Sequence, residues 1–404
     1  MASLMTAAAL AAQSQRTTVA GEAVMLVSFI HQLPHAFGAL FEDRRGRGVW
    51  EEAPVTVFVW CHRAALHRRG SDVHDVFANC LAGLPWVRLV FPGFVHRASS
   101  LSPFRMLNSR AAWIRTHWQR PVPEVLYFSH DASADHTAQA LMQAFPSARR
   151  VCYGDPPGFL HPENPPFPEH VRHRPDALRQ GVWATRLRGV SHWLGAHEAI
   201  IAVDFRIAGT SDCDLPVRLL PASCLRDALG RLQQGFTGLT SAELQLLDGL
   251  VVEGTQPFML LLGNFTGSRM CAQKNEIALY AELCAQHVPV GATIIVKPHA
   301  GSHPALLRAL ALRLPDYHLI VLPDPLGRLP VEFLSVLLSR CHVLSVSSAS
   351  ALLGGVLGIN VRHVLTEDAI RRYFLPAHVQ YMLSANQAIA GRTQQVYGAD
   401  GSGG

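Results

Sequence analysis

Short apolar runs alternate with stretches of helical period along most of this chain. The runs that read as strands are Ala23–Phe29, Val55–Trp60, Val87–Phe91, Val125–Ser129, Arg150–Tyr153 and Ala199–Val203, followed by Pro257–Leu262, Thr293–Lys297, His318–Val321, His342–Val346 and Val361–Leu365. Strands buried on both faces of a parallel sheet read as continuous apolar runs in this way. Helical spacing is clearest over Ala134–Ala144 and over Asn275–Gln286, where Ile277, Leu279, Tyr280 and Leu283 share a face. Alternation of the two patterns predicts an α/β architecture of two doubly wound, Rossmann-like domains facing across a cleft. The expected division is a flexible N-terminus at 1–20, a first domain at 21–254, a second at 255–390 and a disordered tail at 391–404. The break falls after the helical run Ser241–Val252, and the last helices are candidates to cross back onto the first domain.

Several runs stop abruptly in small, polar or turn-forming residues, as strands do where they end at a ligand crevice. Val151-Cys152-Tyr153 runs into Gly154-Asp155-Pro156-Pro157-Gly158. Gly154 and Gly158 let the backbone turn sharply, and Asp155 reads either as a turn or cap residue or as a general base for a hydroxyl. The segment Pro156–Pro175 is too proline-dense for helix or central strand, and it reads as a loop covering this site or as a linker. Thr293–Lys297 ends in Lys297-Pro298-His299, which offers a cation and an imidazole to the charge of a departing phosphate. His299 reads alternatively as a loop histidine bonded to a carbonyl, and His303 competes for its role. His342–Val346 ends in Ser347-Ser348-Ala349-Ser350 before a helical stretch, which reads as an anion site or as a simple helix cap. Gly263-Asn264 opens a strand-to-helix turn suited to nucleotide contact. Glu276 and Glu332 head helical stretches, either as first-turn carboxylates or as ribose ligands. After His130, Asp131 and Asp135 form a paired-carboxylate candidate of the kind retaining hydrolases use, but the pair lies on one loop and capping of the next helix explains Asp135.

Composition narrows these readings. With 404 residues, 49% of them hydrophobic, the chain can bury the cores of two domains. Its net charge of +5 is mild and forms no block suited to a nucleic-acid backbone. Arg44-Arg45-Gly46-Arg47 reads as solvated surface, or as attraction to an acidic acceptor or an anionic membrane face. His31, His35, His62, His67 and His74 read as surface or hydrogen-bonded fold residues, and no histidine or cysteine spacing suits a metal. The cysteines, none in a CxxC, read as reduced thiols of a cytoplasmic protein. Met1 to Gln15 lacks the pattern of a signal peptide, and no apolar run is long enough to span a bilayer. Peripheral association with the inner membrane face stays open.

Tyr153-Gly154-Asp155-Pro156-Pro157-Gly158, Lys297-Pro298-His299 and Ser347-Ser348-Ala349-Ser350 resemble, in that order, the Asp-Gly-type, His-Pro and serine motifs of bacterial polysialyltransferase-like glycosyltransferases. Gly263-Asn264-Phe265 through Tyr280 resembles that family's entry into its donor domain. The resemblance implies a GT-B fold with an acceptor-side first domain and a nucleotide-sugar-binding second domain. It implies inverting transfer of a sugar, typically sialic acid, from a CMP-sugar to a glycan or glycolipid hydroxyl, with no metal and no cofactor. In that reading Asp155 is the base, His299 assists the departing CMP, and Ser347 and Ser348 hold its phosphate. Gly263, Asn264, Lys297, Pro298 and Glu332 join them on the donor side, and Gly154, Gly158 and His130 on the acceptor side. Pro156 and Ala300 depart from the family pattern and leave the donor open. CMP-Kdo or a CDP-alditol fits the same residue types, as does a sugar-nucleotide epimerase or a protein that binds a nucleotide or glycan without turnover.

Overall fold

The computed structural model describes residues 22–59, 72–91, 103–129, 136–154, 196–203, 216–236, 238–249, 256–299, 302–324 and 326–394. Asp155, Gly158, His130, Asp131, Asp135, His62, His67 and the segment Pro156–Pro175 lie outside the described residues.

The first half runs β1 (Ala23–Val27), α1 (Leu33–Gly46), β2 (Val55–Val59), α2 (Asp72–Leu81), β3 (Val87–Val90), α3 (Pro103–His117), β4 (Val125–Ser129), α4 (His136–Ala144), β5 (Arg149–Gly154), β6 (Glu198–Ile201), β7 (Val217–Leu219) and α5 (Ala222–Gln233). Helix α6 (Leu239–Asp248) leads to the second half. There follow β8 (Phe258–Leu261), α7 (Gln273–His287), β9 (Thr293–Lys297), α8 (Pro304–Arg313), β10 (His318–Val321), α9 (Ser335–Arg340), β11 (His342–Ser345), α10 (Ala349–Gly355), β12 (Val361–His363), α11 (Glu367–Tyr373) and α12 (Pro376–Gln394).

The strands form two all-parallel sheets, ordered β3-β2-β1-β4-β5-β6-β7 and β10-β9-β8-β11-β12. Successive residues of a central strand serve opposite faces. Ala23, Met25 and Val27 enter one core and Val24 and Leu26 the other. Likewise Leu260 enters one core of the second sheet and Met259 and Leu261 the other. Both faces of each sheet are therefore covered, and the architecture is that of two Rossmann-like domains, the GT-B arrangement.

The strand not foreseen is β7. Its three residues, Val217-Arg218-Leu219, sit at the sheet edge behind Pro216, and so short a run carries no pattern. Helix α12 continues through Gln394, past residue 390 where a disordered tail was expected. It also crosses back: Ala385 and Ile389 share a buried cluster with Leu33 and Phe37 of α1 and with Ala351 and Leu352 of α10.

Within the arginine run at the end of α1, Arg45 and Arg47 are exposed as expected, and Arg44 is a correction. Arg44 is 1% exposed and donates to the carbonyls of Glu51 and Pro54. Arg45 pairs with Glu51 and Asp227, and Arg47 with Asp43. Asp43 in turn accepts from Tyr127, Arg149 and Arg218. Burial pushes the Asp43 carboxyl up, but the hydrogen bonds from Tyr127 and Arg149 outweigh it and hold the group below its usual value. Arg44 is thus spent inside the fold, while the exposed Arg45 and Arg47 pair with carboxylates.

Cys80, Cys152 and Cys224 are buried in the first half, and Cys271, Cys284 and Cys341 in the second, all as free thiols. Burial pushes the Cys271, Cys284 and Cys341 thiols up to about 12. Among the described residues no helix is long and apolar enough to cross a membrane.

Candidate functional site

In an open parallel sheet the ligand crevice lies beyond the carboxyl ends of the strands, where the strand order reverses. In the second sheet that point falls between β8 and β11. In the first it falls between β1 and β4. The loops leaving β1, β8, β9 and β11 line one shared cavity of about 290 Å³. Helix α12 adds a wall to it through Tyr381, Met382, Ala385 and Ile389.

The turn after β8 is built from inside. Gly263 N–H donates to the Tyr280 hydroxyl at 2.7 Å, and that hydroxyl lies 3.3 Å from Glu276 Oε1. Glu276 Oε2 accepts from Thr266 N–H at 2.8 Å. Glu276 is 2% exposed and absent from the cavity lining, so this carboxylate organises the turn. Burial, with the Glu276 charge beside it, raises the Tyr280 phenol well above its ordinary value. A Cβ at Gly267 would stand 2.0 Å from Asn264 Oδ1, so the glycine leaves room for that side chain in its present position. Gly263 and Asn264 line the cavity, although the Gly263 amide is already engaged.

Strand β9 delivers Lys297, Pro298 and His299 to the same cavity. Lys297 is 8% exposed, and its ammonium donates to the carbonyls of Pro298 at 3.1 Å and Gly327 at 3.0 Å. It sits in the wall as a held charge. His299 is half-buried and lines the cavity. Its competitor His303 is instead the N-cap of α8, its Nδ1 accepting from Ala305 N–H at 3.1 Å, and it is absent from the lining. Glu332 lines the cavity from the 3-10 turn Val331–Phe333.

Ser347 and Ser348 line the cavity after β11. Ser348 occupies the N-cap position of α10, yet no side chain caps that helix. The hydroxyls of the pair are thus not spent on capping. Beneath them Ser350 Oγ lies 2.8 Å from both Ser347 O and His363 Nδ1, and His363 Nε2 lies 2.6 Å from Asn386 Oδ1. Asn386 Nδ2 donates to Leu365 O at 2.9 Å, which turns its oxygen toward the imidazole. Desolvation lowers the His363 pKa against a smaller opposing effect of Asn386. This buried chain joins α10, β12 and α12.

The loop after β1 adds further lining. Gln32 Oε1 accepts from Ser28 N–H and Phe29 N–H, while its amide donates to Ser129 Oγ at 3.2 Å. One side chain thereby ties the ends of β1 and β4 together. Ile30, His31 and His35 follow it into the cavity. His35 corrects the expectation of a surface or hydrogen-bonded histidine: it is 6% exposed and its Nδ1 is buried without a partner. A histidine in the first helical turn after a strand end was the available signal. Gly154 closes β5 at the same sheet edge, buried beside Ile201, and does not line the cavity.

Among the described residues no group of three or more His, Cys, Asp or Glu is placed to hold a metal.

No protein-family model matches the chain, and no curated protein does. Solved structures resemble it loosely. UDP-GlcNAc 2-epimerase from Neisseria meningitidis, bound to UDP-GlcNAc, is 12% identical over 94% of this chain and 92% of its own, with a TM-score of 0.48. UGT2 of Phytolacca americana, in complex with UDP-2fluoro-glucose and pterostilbene, is 11% identical over 95% and 96%, with a TM-score of 0.43. MurG of Acinetobacter baumannii is 11% identical over 92% and 82%, with a TM-score of 0.37. Likenesses this distant say nothing of donor or acceptor.

Proposed function

We propose that the protein is an inverting, metal-independent glycosyltransferase that moves a sugar, sialic acid in the sharpest form of the reading, from a CMP-sugar to a glycan hydroxyl. One observation carries it. Lys297-Pro298-His299 and Ser347-Ser348 are distant in sequence, yet they and the Gly263-Asn264 turn line one cavity at the switch point of the second sheet. Hydroxyls not used for capping, a half-buried imidazole and a held ammonium suit the phosphate of a nucleotide.

In this reading Ser347 and Ser348 bind the donor phosphate. His299 donates to it as the glycosidic bond breaks, and the Lys297 charge offsets the negative charge that builds there. The acceptor hydroxyl attacks the anomeric carbon from the opposite face and gives its proton to Asp155, the residue after Gly154. CMP departs with the bonding electron pair, and the anomeric configuration inverts.

The test is nucleotide release from the purified protein with EDTA present, using CMP-sialic acid, CMP-Kdo, CDP-glycerol and UDP-GlcNAc in turn, with and without glycan acceptors. Acceptor-stimulated CMP release from CMP-sialic acid is the expected result. Release from another donor alone replaces the sialyl reading. Binding without release from any donor replaces catalysis with recognition. Near-normal transfer by a folded Asp155→Ala variant removes Asp155 as the base.

A further inference from the structure

His35 is the third residue of α1, just beyond the carboxyl end of β1 and at the switch point of the first sheet. It lines the same cavity as the serine turn. Its ring makes no hydrogen bond with any described residue, and Nδ1 is sealed from solvent. Buried polar atoms are nearly always paired, and an orphan lowers stability. Something other than the free fold therefore accounts for an imidazole here.

The protonation state follows from the surroundings. Burial, with a smaller contribution from neighbouring His31, lowers the pKa to about 4, so the ring is neutral at ordinary pH. The positive end of α1 disfavours the cation further. A neutral imidazole carries one N–H. Placed on Nδ1, it would be an orphaned buried donor, whereas a bare Nδ1 is an orphaned acceptor, the more tolerable of the two. The proton belongs on Nε2.

We propose that His35 is a sugar-binding residue whose Nε2–H donates a hydrogen bond to an oxygen of the glycosyl group carried by the bound nucleotide. The inference rests on the nucleotide-sugar reading above. With the phosphate held at Ser347 and Ser348, the group attached to it shares with His35 a cavity of only about 290 Å³. A neutral donor suits a hydroxyl or a carboxylate oxygen equally, and its contribution is specificity for the sugar, separate from affinity for the nucleotide.

The experiment compares wild type with His35→Leu and His35→Gln by calorimetric titration with CMP, CMP-sialic acid, UDP and UDP-GlcNAc, alongside thermal melting of the free proteins. Wild type should bind one nucleotide sugar more tightly than its bare nucleotide. His35→Leu should keep the affinity for the nucleotide and lose about tenfold for the nucleotide sugar, the effect of one buried hydrogen bond. His35→Gln places an amide N–H near the position of Nε2 and should restore most of it. The free His35→Leu protein should melt no lower than wild type, because an unpartnered atom has been removed. Unchanged nucleotide-sugar affinity in His35→Leu overturns the inference and leaves the parent reading standing. Equal losses for nucleotide and nucleotide sugar with a lower melting temperature, unrelieved in His35→Gln, make His35 a structural brace and also overturn it. Failure of wild type to bind any of the four probes removes both readings together.

Discussion

A single oxygen atom organises the turn after β8. The Tyr280 hydroxyl accepts from Gly263 N–H and lies within reach of Glu276. Tyr280→Phe keeps the packing and orphans a buried amide, which costs about 1–3 kcal/mol. Urea unfolding should show that loss, and a change below about 0.5 kcal/mol would mean the bond is dispensable. Gly267→Ala makes the contrasting case. Its Cβ would collide with the side chain of Asn264, which can rotate away, so the fold should lose only about 1 kcal/mol or less. Asn264 would then leave its position in the cavity lining, and nucleotide affinity should fall by about tenfold. Equal affinity by titration would remove Asn264 from the site. These residues also show what the chain's letters can carry. Gly263 and Asn264 stand out because a glycine-containing turn follows an apolar run. The direction in which the Gly263 amide points depends on Tyr280, a full helical segment away, and no local pattern states it.

At the scale of elements, the serine turn, β12 and α12 are joined by the chain Ser347–Ser350–His363–Asn386. His363→Phe keeps the ring volume and removes both polar contacts. It should weaken nucleotide binding about tenfold while leaving Tyr280-dependent stability unchanged, because the turn after β8 shares none of its bonds. Identical binding by titration would reduce the chain to packing. Strand existence was legible because buried parallel strands are apolar at every position, and β1, β4 and β9 announce themselves in that way. Edge strand β7 was not, because its three residues need neither face covered. Arg44 of α1 was misread for a related reason. Its partners are the backbone carbonyls of Glu51 and Pro54, which carry no side-chain pattern to read. The convergence of Lys297, His299 and the two serines was readable as parts, since each follows a strand end; that they meet His35 follows from the apposition of two sheets.

For the whole molecule, pH separates the buried histidines from the rest. The His35 side chain takes up a proton near 6.5 when unfolded and only at about 4 when folded. As pH falls through that window the unfolded chain binds the extra proton, and folding weakens by about 3 kcal/mol from this group. His363 acts in the same direction, while Glu243, raised by burial, acts in the opposite one. Urea midpoints should therefore fall between pH 7 and pH 4.5, and fall less in His35→Leu. Parallel slopes for the two proteins would place the ring in water. Helix α12 binds the halves together through Ala385 and Ile389, so Ile389→Asp should split one calorimetric unfolding transition into two. A single unshifted transition would show that the halves do not depend on this contact. Among the described residues six buried thiols fall three to each half, and burial shields them from reagents in the solvent. An alkylating reagent can reach them only when the surrounding core opens, and each modified peptide identifies which core opened. The protein thus carries its own pair of stopwatches: one set times the breathing of the first domain, the other that of the second, and a ligand gripping both walls of the cavity would slow the two together.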